Sequence, residues 1–197
     1  MSRRRRVNHY HEPGHFHEFT FACSGWLPLL AKDFLKKALA KRIDEAGWIE
    51  KFDLVAFVFL PNYVRLITYP HLPQPAFDGY LVRIKQLFSS EIRDELFARQ
   101  FMLQQQLVVT ERSGNRTFRF WQRGSNHHRS LATKSALLEA IESIHNQPVQ
   151  SRLRKHAIQW KWSSARYHLL RPSRQQFPGL PHVHGIPRCA SELIRES

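Results

Sequence analysis

FDLVAFVFLPNYVRLITYP, Phe52 to Pro70, is the stretch on which the fold turns. From Leu54 to Leu60 it is apolar at successive positions, so a strand here has to be covered on both faces. Pro61 and Asn62 then break the run, and Tyr63 to Tyr69 resumes β character with Val64, Ile67 and Thr68. Two such runs joined this tightly predict an antiparallel hairpin at the centre of a sheet.

Upstream of the hairpin, Leu35, Leu39, Ile43 and Ala46 recur at helical spacing within Asp33 to Ala46, and Gly47 reads as the stop. His17 to Cys23 (HEFTFAC) alternates as a strand does. Downstream, Pro70 to Pro75 is a proline-rich connection. Phe77, Tyr80, Leu81, Ile84, Leu87, Phe88, Ile92 and Leu96 then trace one face of a long helix. Leu107 to Thr110 and Thr117 to Trp121 are short strand candidates around the turn Ser113-Gly114-Asn115. Lys134 to Asn146 predicts a helix that buries Leu137, Leu138, Ile141 and Ile144 and is ended by Pro148. The order strand, helix, paired strands, helix, strand, helix predicts an α+β fold, a ferredoxin-like antiparallel sheet covered by helices. Three regions are expected: a basic, histidine-rich arm over 1–14, the α+β domain over 15–170, and a tail rich in Pro, Arg and His over 171–197.

Apolar residues make up 42% of the 197, enough for a packed core, which excludes a wholly disordered chain. No apolar run approaches the roughly 18 residues of a spanning helix, so no membrane partner is expected. The start, Met1-Ser2-Arg3-Arg4-Arg5-Arg6, is not followed by an apolar signal core, and a cytoplasmic location is expected. Two cysteines, Cys23 and Cys189, exclude a disulfide scaffold and a four-cysteine zinc site.

The net charge of +14 is unevenly spread. Residues 7–110 hold 11 basic and 11 acidic side chains, whereas 111–174 hold 13 basic and 3 acidic. The excess therefore lies in Arg3, Arg4, Arg5 and Arg6 and in one stretch containing Arg119, Arg123, Arg129, Arg152, Arg154 and Lys155. Cations gathered this way neutralise phosphates and point to a polyanion. The same stretch carries Phe118, Phe120, Trp121, Trp160, Trp162 and Tyr167, which either stack on unpaired bases or turn into the core. The pairs His9/His11, His15/His17 and His182/His184 have the spacing of metal ligands, and the N-terminal ones read more simply as exposed terminal histidines. His127 and His128, beside Arg129, read as an extension of the basic surface.

Three segments in order carry a resemblance: Phe52 to Pro70, FRFWQRGSN (Phe118 to Asn126), and IESIHNQPVQSRL followed by WKWSSARYHLL (Ile141 to Leu170). Over roughly residues 15–170 the chain resembles the REP-associated tyrosine transposases, relatives of the small HUH insertion-sequence transposases with a single catalytic tyrosine. The resemblance implies an HUH-type ferredoxin-like fold, DNA as partner in hairpin or single-stranded form, and a homodimer. In that family two histidines, two residues apart on the strand after the turn, hold Mg²⁺ or Mn²⁺ at the scissile phosphate. A helical tyrosine attacks phosphorus, and a Gln or Asn four residues on completes the metal site.

On this chain the histidine positions fall on Tyr63 and Arg65, the nucleophile position on Ser143, and the last ligand position on Gln147. Arginine has no lone pair to give and repels a cation, and a neutral phenol is a poor ligand. Only Gln147 is of ligand type, so no metal cofactor is expected. Tyr63 sits on a strand, where packing is commoner than nucleophilic duty. Ser143 lacks an obvious base, because His145 is two residues away on a helix and faces elsewhere. The expectation is a transposase-like DNA-binding protein in which Arg65 pairs with a phosphate and strand cleavage is lost. A rearranged but working enzyme, and a non-enzymatic module for structured RNA, remain alternatives.

Overall fold

A computed structural model describes residues 14–99, 107–111, 113–124, 127–170 and 176–187. The arm with Arg3, Arg4, Arg5 and Arg6, together with His9 and His11, lies outside them, as does Cys189. The elements run β1 (Phe16–Ala22), α1 (Asp33–Glu50), β2 (Phe52–Phe59), β3 (Tyr63–Pro70), α2 (Phe77–Arg99), β4 (Val108–Thr110), β5 (Arg116–Phe118), β6 (His127–Leu131), α3 (Lys134–Gln150) and α4 (Ala165–Leu169). The main sheet has the order β2-β3-β1-β6, and every neighbouring pair is antiparallel. This is the split βαβ arrangement of a ferredoxin-like fold. The hairpin forms, but at one side of the sheet and not at its centre as the sequence predicts, with β2 as the border strand. Strands β4 and β5 form a separate two-stranded ribbon.

Alternation along the strands gives the two sheet faces different cores. Phe19, Phe21, Leu54, Phe57, Phe59, Val64 and Leu66 pack under α1 and α2. Phe16, Val58, Ile67, Tyr69 and Leu131 pack under Leu137, Ile141 and Ile144 of α3. The fully apolar run from Leu54 to Leu60 is thus explained by two covered faces.

The border strand β2 is sealed along its outer side. His184 N donates to Leu54 O (2.8 Å), Ser164 N to Phe57 O (3.0 Å) and Phe59 N to Trp162 O (2.8 Å). The Ser164 hydroxyl accepts from Phe57 N at 2.9 Å. Segment 176–187, which has no helix or strand, holds Val183 in the core.

Several boundaries depart from the sequence reading for identifiable reasons. Helix α1 continues through Gly47 to Glu50 and ends at Lys51, which takes the left-handed conformation (φ 59°) and donates its N–H to Gly47 O. The glycine is there for clearance: a Cβ at position 47 would lie 2.8 Å from Phe52 O. Helix α3 runs through Pro148 to Gln150. Pro148 is buried in the last turn, and its carbonyl accepts from Leu153 N (2.8 Å) and Arg154 N (3.2 Å), so packing and the returning chain close the helix end. Leu138, expected inside, is 49% exposed. The fourth strand of the sheet is His127–Leu131 rather than Thr117 to Trp121, whose first residues belong to the β4–β5 ribbon. His128 therefore is not part of a basic surface. Its ring stacks on Phe19 at 4.6 Å, and its Nε2 lies 2.8 Å from Nδ1 of the buried His17. His17 is likewise not an exposed terminal histidine.

Candidate nucleic-acid interface

Strand register brings three charged side chains to the α3 face. Thr20 lies opposite Arg65 on β3, and Glu18 lies opposite Arg129 on β6. Residues two apart on β1 point the same way, so Glu18, Arg65 and Arg129 converge. From above, α3 lays down Ser143 and Gln147, which are four residues apart and share a helix face.

Glu18 is 2% exposed, and a carboxylate at that depth has to be paired. Arg65 Nε donates to Glu18 Oε1 at 2.8 Å, and its Nη2 donates to the same oxygen. Arg65 Nη1 donates to Ser143 Oγ at 3.1 Å. Arg129 Nε donates to Glu18 Oε2 at 2.6 Å. One buried carboxylate thus holds two guanidiniums, leaving one positive charge in excess. Every nitrogen of the Arg65 fork is engaged, and its side chain is largely buried. Arg129 is half in water, and its terminal nitrogens have no hydrogen-bond partner among the described residues.

The Tyr63 hydroxyl donates to Gln147 Oε1, and Gln147 Nε2 donates to Gln150 Oε1 at 2.9 Å. Burial pushes the Tyr63 pKa up, against the opposing pull of the Arg65 charge and of Ser151, so the phenol stays neutral at pH 7. The four positions that the resemblance picks out, Tyr63, Arg65, Ser143 and Gln147, are neighbours in the structure. Their donor set does not fit a divalent cation. The Gln147 oxygen is taken by a phenol, the one carboxylate is satisfied by two arginines, and a guanidinium occupies the middle. His145, two residues from Ser143, is buried and bonds Ser164 Oγ at 2.9 Å instead. No group of three or more His, Cys, Asp or Glu among the described residues is placed to hold a metal ion.

The remaining basic residues sort by what they touch. Arg123, Arg152 and Lys155 are exposed. Arg119 donates to Glu111 Oε1 at 3.0 Å. Arg154 is exposed, with its guanidinium 5.5 Å from the centre of the Trp160 ring. Of the aromatics in the basic stretch, Phe120, Trp121, Trp162 and Tyr167 are core residues, so the core reading holds for them.

Besides Thr20, two groove residues escaped the sequence reading. One is Glu18, whose only signal was a carboxylate on the inward side of an otherwise buried strand. The other is Trp26, 57% exposed, in the Ser24–Trp26 turn after β1. Together with Thr20, Tyr63, Arg65, His127 and Arg129 they line a groove of about 560 Å³.

The sheet order, with helices on both faces of the sheet, defines a ferredoxin-like α+β fold. More particularly, the chain has the fold of a REP-associated tyrosine transposase solved bound to a REP hairpin. The two superpose with a TM-score of 0.64 at 17% sequence identity, covering 93% of this chain and 99% of that one. A Deinococcus radiodurans R1 protein provisionally assigned as a transposase matches with a TM-score of 0.45 at 16% identity, covering 74% of this chain and 98% of that one. No family model and no curated protein matches the sequence. Among the described residues no helix is long and apolar enough to cross a membrane.

Proposed function

We propose that the chain is a divergent relative of the REP-associated tyrosine transposases that grips hairpin or single-stranded DNA in the cytoplasm without breaking it. The observation that carries this reading is the fate of Arg65. It sits where the resemblance puts a metal-binding histidine, and it is bonded to Glu18 and Ser143, the latter at the nucleophile position. A serine hydroxyl accepting from a guanidinium, with no base beside it, is not an activated nucleophile. No metal cofactor is part of this proposal.

Binding would then rest on Arg129 at the groove, on the exposed Arg123, Arg152, Arg154 and Lys155, and on the arm Arg3 to Arg6. The hairpin held by the transposase of like fold supports DNA as the partner. The test is incubation of the purified protein with hairpin-flanked single-stranded DNA and Mg²⁺ or Mn²⁺. The expected result is binding that weakens steeply with salt, an intact strand and no covalent adduct. A covalent protein–DNA adduct would overturn it in favour of a working enzyme. Tighter binding of the same-sequence RNA would move the reading to structured RNA, because the 2′-hydroxyl is then what is read. The size of the complex in the same assay reports whether the protein acts as a homodimer.

A further inference from the structure

We propose that Trp26 is a stacking platform for one unpaired base, whose neighbouring phosphate is taken by Arg129. This rests on the nucleic-acid reading above and deepens it, by assigning a base subsite at the edge of the groove.

The turn that carries Trp26 is anchored on both sides. Cys23 N donates to Asn62 O (2.8 Å), Ser24 N to Phe120 O (2.7 Å) and Leu27 N to Ser24 O (3.1 Å). Gly25 N donates to Gln122 Oε1 at 2.8 Å. A turn tied to the β3 hairpin and to the segment after β5 does not swing freely. Within it, Gly25 and Trp26 are both left-handed, at φ 60° and 57°. Glycine adopts that conformation readily, but tryptophan does so at a cost, and such local strain is characteristic of binding sites. The strained backbone presents an indole that is 57% exposed, although it would be more stably placed inside. Tyr63 is the only ring it meets among the described residues, at a centroid distance of 6.1 Å and an angle of 67°. That edge-on contact fixes the indole without stacking on it.

The rest of the groove supplies the complementary chemistry. Glu18 is neutralised by Arg65 and Arg129, so the lining offers a net positive charge next to an aromatic plane. Arg129 presents terminal nitrogens without a protein partner among the described residues, and His127 is exposed beside it. An indole and a guanidinium in one groove match a base and its own phosphate. A paired base has both its faces stacked already, so the occupant has to be unpaired.

The test uses two DNA hairpins with the same stem, one blunt and one with a single-stranded flank carrying the fluorescent base 2-aminopurine. The full-length wild type is expected to bind the flanked hairpin more tightly and to quench the 2-aminopurine. Trp26→Gly, which suits the left-handed backbone, is expected to weaken binding to the flanked hairpin by about 10-fold, to leave the blunt one unchanged and to abolish the quenching. Trp26→Phe should recover part of the loss. Absence of quenching in the wild type overturns the proposal without reference to any variant. So does a Trp26→Gly protein that binds both hairpins as the wild type does, and in either case DNA binding itself still stands. A wild type that binds neither hairpin removes both readings.

Discussion

Under α1 and α2 the sheet is closed by rings: Phe19, Phe21, Phe57 and Phe59 from the strands share one core with Tyr80 and Phe88 from α2. Under α3 the same strands are closed for only part of their length. Ile67 and Tyr69 on β3 lie in the apolar core, while Tyr63 and Arg65, at the start of that strand, lie in a polar groove. A pair of helices spans a four-stranded sheet, and a single helix does not. What the single helix leaves open has to be filled with polar groups that satisfy one another, which is what Glu18 does for Arg65 and Arg129.

The contrast can be broken from the apolar side first. Phe57→Ala removes a fully buried ring from the α1/α2 core and is expected to cost about 3–5 kcal/mol in urea unfolding. On the other face, Glu18→Ala leaves Arg65 buried with no counter-charge and is expected to cost about 3 kcal/mol. Changing Arg65→Met and Glu18→Leu together should recover most of that loss, since the pair is then removed as a unit. A double-variant loss equal to the sum of the Glu18→Leu and Arg65→Met losses would show that the two side chains are not coupled.

A pH-dependent effect, small near neutrality, comes from His145, under α3. Burial pushes its pKa down to about 3, with the nearby His168 adding to the shift. The unfolded chain takes up that proton near pH 6.5, so its stabilising contribution is complete above about 6.5 and is lost as the pH falls towards 3. The loss is up to about 1.4 kcal/mol per pH unit. Acid unfolding of His145→Gln should be less steep by that slope. The smallest effect on stability is expected from Arg129→Ala, below about 1 kcal/mol because the side chain is half in water. The same variant should weaken DNA binding across sequences and reduce the salt slope by about 1.

How much of this was legible depended on whether a feature was local. The β2–β3 hairpin follows from one stretch of chain, and α2 from one uninterrupted apolar face. Strand β6 was not legible, because His127-His128-Arg129-Ser130-Leu131 has no apolar alternation. It becomes a strand only because β1 offers it backbone partners. Gly47 and Pro148 read as helix breaks, yet one is a clearance requirement of Phe52 and the other is held by the chain that returns to its carbonyl. The positions Tyr63, Arg65, Ser143 and Gln147 could be grouped through the resemblance. Glu18 could not, because its partners lie 47 and 111 residues away.

The sealed border of β2 has a consequence for any shortened form of the protein. The groups that cap Leu54, Phe57 and Phe59 come from Trp162, Ser164 and His184, all beyond α3 and none of them lining the groove. A chain cut after Gln150 would keep every groove residue and still bare a row of peptide donors and acceptors on a strand of consecutive apolar side chains. Other copies would add to it as further strands, and the fragment would pass from solution into fibrils before its affinity for any ligand could be weighed.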